Sequence, residues 1–243
     1  MIPLRDNIRA RHPPFVTYTI IAANVIVFVQ MTHLPPEALK NLVRGYGVVP
    51  DAFTTLIQSG APLAVLTVLP TLFTSMFIHG SAFHLVSNMW MLFLFGDNVE
   101  DKLGHLRYGL FYMACGVLAM LTHVFLNAAS IVPTIGASGA IAAVMGAYLL
   151  FFPLAQMIVL VPILFYPLFV QVPAVLFFLI WIATQLISGA FSLSTRDPGA
   201  GGVAFWAHVG GFFAGLVLAL LTHKRGPRSH KKHRWHDDEY FPW

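Results

Sequence analysis

Ile135-Gly136-Ala137-Ser138-Gly139-Ala140 leads into an apolar run, Ser138 to Phe152, that stops at Pro153. As a helix rising 1.5 Å per residue, the run is roughly 22 Å long, short of the ~30 Å hydrocarbon core of a bilayer. It therefore predicts a membrane helix that begins below the surface, with irregular backbone above it lining a wet cavity. The small residues at its start have a plain structural use, because membrane helices touch through Gly and Ala. They also leave Ser138 open to close approach, at a helix start where its N–H and the helix dipole face any developing negative charge.

Composition agrees with the membrane reading. Hydrophobic residues make up 57% and charged residues 10% of 243, against about 45–50% and 25% in soluble domains. The chain is expected to be a polytopic membrane protein. Its one cysteine, Cys115, has no partner and sits in an apolar run, which excludes an internal disulfide and assigns the thiol to packing. The net charge of +4 arises mostly at the two ends, and reads as membrane orientation before nucleic-acid binding.

Outward from the central run, the expected spans are Thr17 to Met31 (extendable toward Phe15), His84 to Val99, Leu106 to Asn127, Ser138 to Phe152, Ala174 to Ser188 and Val203 to Thr222. That makes an all-α, six-helix bundle over 15–222. Residues 1–14 read as a retained polar leader, with no small-residue cleavage site behind the first apolar run, and 223–243 as a basic tail. Between Thr32 and Pro70 the residues Pro35, Pro36, Pro50, Pro62, Gly45, Gly47 and Gly60 break any long helix; this partly apolar first loop is expected on or in the outer leaflet. Leu154 to Leu186 is apolar but broken by Pro162, Pro167 and Pro173, and Gly189 to Gly202, with Arg196, Asp197 and Pro198, reads as a loop.

Charge tests the count of six. With both termini cytoplasmic, the inner segments hold Arg5, Arg9, Arg11, Lys102, Arg107, Lys224, Arg225, Arg228, Lys231, Lys232 and Arg234, while the outer ones hold Lys40, Arg44 and Arg196. This distribution obeys the positive-inside rule. The same topology runs the second, fourth and sixth helices inward, so His84, Ser138 and His208 share one depth near the outer face. Intramembrane polar groups are expensive unless paired or functional, and Ser with His is the minimum set for nucleophilic acyl chemistry.

His84 and Asn88 are four apart, on one face of their helix, and both can donate hydrogen bonds. With the Ser138 N–H they suit an oxyanion hole; on spacing alone they suit interhelical polar contacts equally well. In the last helix, Gly211 and Gly215 form a small-residue stripe that can meet Gly139, Ala142, Ala143 and Gly146, and close packing there brings His208 toward Ser138.

These motifs, His84-Leu85-Val86-Ser87-Asn88, Gly136-Ala137-Ser138-Gly139, and Ala207-His208 followed by Gly211 and Gly215, resemble those of the rhomboid intramembrane serine proteases, in the same order. The likeness covers roughly Thr17 to Thr222, and the opening Met1-Ile2-Pro3-Leu4-Arg5-Asp6 is similar to that of many bacterial members. The resemblance implies Ser138 as nucleophile and His208 as general base in a dyad without a catalytic Asp. It also implies His84, Asn88 and Ser138 as the oxyanion site, and neither metal nor cofactor. The implied substrates are membrane proteins, cut in a transmembrane helix near its outer end after a small residue. The implied place is a bacterial inner membrane.

Two departures stand out. Where some members carry an aromatic four residues after the serine, packed on the catalytic His, this chain has Ala142, so His208 needs another means of orientation. The first loop also lacks the Trp-Arg pair of some members. His79 reads as structural, His105 and His123 as interfacial, and the tail with His223, His230, His233 and His236 as a solvated basic segment drawn to anionic lipid. The rival classes are a non-proteolytic rhomboid-like factor that binds membrane clients, which would typically have lost the Ser or His, and a transporter, which would want charges or inverted repeats in the spans.

Overall fold

The computed structural model describes residues 1–60, 62–163, 166–195 and 202–222. In chain order, β1 (Ile2–Asp6) precedes α1 (Phe15–Thr32) and four short helices, α2 (Pro36–Tyr46), α3 (Pro50–Gln58), α4 (Pro62–Val68) and α5 (Thr71–Thr74). Then come α6 (Ala82–Leu103), α7 (His105–Leu126) and α8 (Ser138–Phe151). Strands β2 (Gln156–Ile163) and β3 (Tyr166–Pro173) follow, and α9 (Ala174–Thr195) and α10 (Phe205–Thr222) complete the described fold. Among the described residues, four helices are long and apolar enough to cross a membrane: α1, α7, α9 over Ala174–Ser194, and α10. A fifth crossing is available if Val65–Phe77 and α6, bent by 82°, act as one broken span. The chain is a multi-pass integral membrane protein.

Helix α8 is the axis of the bundle. Every residue from Gly139 to Tyr148 is buried, as expected for a helix apolar on all sides. Its tightest neighbour is α10: a Cβ on Gly211 would lie 2.0 Å from the Gly139 carbonyl oxygen, on Gly215 2.1 Å from that of Ala143, and on Gly146 2.2 Å from that of Phe212. The small-residue stripes thus set the separation of the two backbones, and any side chain there would widen it.

A three-stranded sheet, ordered β1-β2-β3, amends the all-α expectation. Strands β2 and β3 pair antiparallel from Gln156↔Pro173 to Ile163↔Tyr166. The region read as apolar with weak boundaries is rich in β-branched residues, including Ile158, Val159, Val161, Val170 and Val172, and its prolines forbid a long helix. Pro162 faces Pro167 near the end of the ladder, where two missing donors are tolerated. Strand β1 pairs with β2, with a register irregularity between Pro3 and Arg5, so the start of the segment read as a leader is woven into the fold. Trp90 Nε1 donates to the Pro3 carbonyl at 2.7 Å, and the Asp6 carboxylate accepts from Asn98 Nδ2 at 3.1 Å and from the Tyr148 hydroxyl.

At the end of α6 near the sheet, buried Glu100 caps α1: its carboxylate accepts from the N–H groups of Val16 (2.9 Å) and Thr17 (2.8 Å) and from Thr17 Oγ1 (2.7 Å). An anionic side chain at a helix N-terminus satisfies orphan donors and the dipole together. His105 Nδ1 lies 2.6 Å from the same carboxylate.

At the opposite end, the first loop is built from short helices that begin at Pro36, Pro50 and Pro62, since Pro is tolerated in a first turn but not beyond it. The loop is tied to the α7–α8 connection by the Val48↔Thr134 bridge, by Asp51 N–H to the Ser130 carbonyl (2.9 Å) and by Thr54 Oγ1 to the Ala128 carbonyl (2.9 Å). Helix α9 begins at Ala174, as expected, but runs to Thr195, past the loop start expected at Gly189. That glycine sits inside the helix because a Cβ there would press on the Trp206 indole at 3.1 Å. Residues 196–201 and the tail 223–243 lie outside the described residues.

Candidate functional site

Ser138 is the first residue of α8 and His208 lies in the first turn of α10. His208 Nε2 stands 2.8 Å from Ser138 Oγ. The approach follows directly from glycine packing, since Gly139 and Gly211, the residues in closest backbone contact, are one and three positions from the two side chains. A hydroxyl and an imidazole at this distance can exchange a proton. Both side chains are partly exposed and line a cavity of about 1200 Å³ together with His84, Asn88, His123 and Trp206.

His84 and Asn88 reach the same place from α6. The N-terminus of that helix is fixed by Ser81, whose hydroxyl accepts from the His84 N–H at 3.1 Å, the usual N-cap bond. The backbone just before Ser138 is shaped to receive them. Gly136 has φ +119°, donates its N–H to the Ser75 carbonyl at 2.8 Å, and a Cβ there would lie 2.7 Å from His84 Nε2 and 3.7 Å from Asn88 Nδ2. Only glycine suits both that backbone angle and that proximity. Ser138, at the first helical position, carries one of the N–H groups that an α-helix leaves without an internal partner. The four polar residues singled out in the sequence are thus brought together, and Gly136, Gly139, Gly211 and Gly215 all lie at close approaches around them.

Three further residues belong to the constellation. His79, read from the sequence as structural, is buried; its Nε2 accepts from Asn88 Nδ2 at 3.0 Å, and its ring meets that of His84 edge-on at 4.9 Å. One Asn88 N–H is therefore held by His79; among the described residues the second has no partner, and Asn88 also lines the cavity. On α9, Gln185 Oε1 lies 2.8 Å from His208 Nδ1, and the Trp181 ring lies 5.9 Å from the His208 ring at 31°. The signal for this pair was limited to spacing: Trp181 and Gln185 are four apart, on one face of a span that also carries Thr184 and Ser188. Nothing in the sequence said which helix that face meets. His105 bonds Glu100 at the far end of the bundle, and His123, read as interfacial, reaches the cavity wall.

The Rhomboid domain matches residues 67–225. RHOMBOID-like protein 1 of Arabidopsis thaliana is 38% identical over 78 residues, covering 32% of this chain and 20% of that protein. The mitochondrial presenilin-associated rhomboid-like protein of Bos taurus is 26% identical over 213 residues, 84% of this chain and 48% of that protein, and its Homo sapiens counterpart is 25% identical over the same length. The chain spans about half or less of the length of these relatives. With the domain match running over α6 to α10, and so over every residue of the site, the chain belongs to the rhomboid family.

Proposed function

We propose that the protein is an intramembrane serine endopeptidase that cuts other membrane proteins within a transmembrane helix, near the face where α6, α8 and α10 begin. The observation that carries the reading is the 2.8 Å approach of His208 Nε2 to Ser138 Oγ, from helices 70 residues apart in sequence, at the wall of a large open cavity. His208 takes the Ser138 proton as Oγ attacks the scissile carbonyl carbon, and returns it to the leaving amine as the tetrahedral intermediate collapses to an acyl-enzyme. Water, deprotonated by the same imidazole, then releases the acyl group. The Ser138 N–H, His84 and the free N–H of Asn88 stabilise the oxyanion.

The topology that goes with this reading has six crossings, α1, α6, α7, α8, α9 and α10, with both termini cytoplasmic, as the charge distribution favours. Substrate enters laterally beside α9, whose Ser192 and Leu193 line the cavity. The proposed location, a bacterial inner membrane, rests on the Met1–Asp6 opening. The test is cleavage of a model transmembrane substrate in proteoliposomes: the wild type cuts it, and Ser138→Ala and His208→Ala do not. Client binding without cleavage by the wild type would favour the non-proteolytic reading instead.

A further inference from the structure

Resting on the dyad reading, we propose that Gln185, backed by Trp181, is the positioning residue that holds His208 in the tautomer and ring plane the reaction needs, in place of a carboxylate third member. Ala142 offers no ring to pack on His208 from α8, and α9 supplies what is missing. Gln185 Oε1 can only accept, so at 2.8 Å it requires the hydrogen on His208 Nδ1. Nε2 is then left as the lone-pair nitrogen facing the Ser138 hydroxyl. The amide end is itself fixed: Gln185 Nε2 donates to Thr184 Oγ1 at 3.2 Å, and Thr184 Oγ1 donates to the Trp181 carbonyl at 2.6 Å. Turning the amide over would aim donors at Nδ1 and break the first of these bonds.

Trp181 sets the ring plane, lying 5.9 Å from the His208 ring and 5.9 Å from that of Phe212 on the same helix as His208. In triad enzymes a buried carboxylate holds the tautomer and also stabilises the imidazolium by charge. An amide does the first fully and the second only through its dipole. Because acceptor and ring partner both ride on α9, displacing that helix would remove the two supports together.

The test uses the full chain in proteoliposomes with a fluorogenic transmembrane substrate. Gln185→Leu, which keeps bulk without an acceptor, is expected to lower kcat on the order of 100-fold, with KM within about twofold of wild type. Gln185→Glu restores the acceptor and adds charge beside the imidazole; it should retain kcat and move the acid limb of the kcat/KM profile up by about one pH unit. Among the described residues, the other titratable groups around His208 are His84 on α6 and His123 on α7, common to all variants, so a difference between profiles reports on position 185. Unchanged kcat in Gln185→Leu, or a Gln185→Glu profile that overlays the wild type, overturns the proposal. If Gln185→Leu does not fold, the Gln185→Glu profile decides alone. Loss of the positioning idea by itself leaves Ser138-dependent cleavage intact, whereas failure of the dyad reading removes that dependence in the wild-type background.

Discussion

Replacing Gly211 with alanine tests whether backbone packing sets the reactive distance. The new Cβ would lie 2.0 Å from the Gly139 carbonyl oxygen and 3.3 Å from the Ala119 Cβ, where ordinary contact begins near 3.4 Å. The obstruction on the Gly139 side is backbone, so it cannot swing away, and α8 and α10 must part by about 1 Å or more. Ser138 adjoins Gly139 and His208 lies one turn from Gly211, so most of that displacement reaches the 2.8 Å contact between their side chains. A hydrogen bond stretched toward 4 Å is lost, and a misplacement of about 1 Å can lower kcat on the order of 100-fold. Overpacking should also destabilise the fold by about 1–3 kcal/mol. The assay is steady-state cleavage in detergent alongside thermal unfolding, with Gly45→Ala as control, since among the described residues a Cβ there meets nothing within 4 Å. Full activity with an unchanged Tm in Gly211→Ala would refute the link between glycine packing and the dyad.

Three other outcomes are expected. Asn88→Ala should lower kcat by about 10²–10³-fold with little change in KM, as loss of one oxyanion donor does; a drop under about threefold would return Asn88 to a purely structural role. Glu100→Ala leaves the Val16 and Thr17 N–H groups at the start of α1 without their acceptor, a loss of about 3 kcal/mol that should lower Tm by about 6–12 °C, and a shift under 2 °C would show that α1 is held otherwise. Burial, only partly offset by bonds from Tyr148 and the backbone, pushes the Asp6 carboxyl up to about 6. A folded-state value raised above the unfolded one means that its contribution is greatest below pH 4 and is lost as pH rises through 6. Tm should therefore fall across that window, and Asp6→Asn should flatten the slope; an identical slope in the variant would contradict the assignment.

The sequence was most informative where one helix carries the whole signal. The run from Ser138 to Phe152 predicted α8 to within a residue because its apolar length and Pro153 leave no other reading. The six-span expectation puts His84, Ser138 and His208 at one depth, whereas spacing alone leaves Asn88 equally fit for an interhelical contact; the structure gathers all four around one cavity. What was illegible depended on contacts between distant segments. Strand β1 has no recognisable pattern of its own and acquires its structure from β2, more than 150 residues later, through a register that no local periodicity announces. Gly189 looked like a loop signal, yet it is a helical position shaved to fit the Trp206 ring. Gln185 is mute in the sequence because an amide in a largely apolar span acquires meaning only from the residue it faces, and that residue is His208.

The most direct test of the central claim is covalent labelling of the folded protein in detergent with a serine-reactive fluorophosphonate, followed by peptide mapping. The expected result is a single adduct on Ser138 Oγ, abolished in Ser138→Ala and strongly reduced in His208→Ala. Absence of labelling in the wild type, or an adduct that persists unchanged in the His208 variant, would contradict the activated serine on which the proposed function rests.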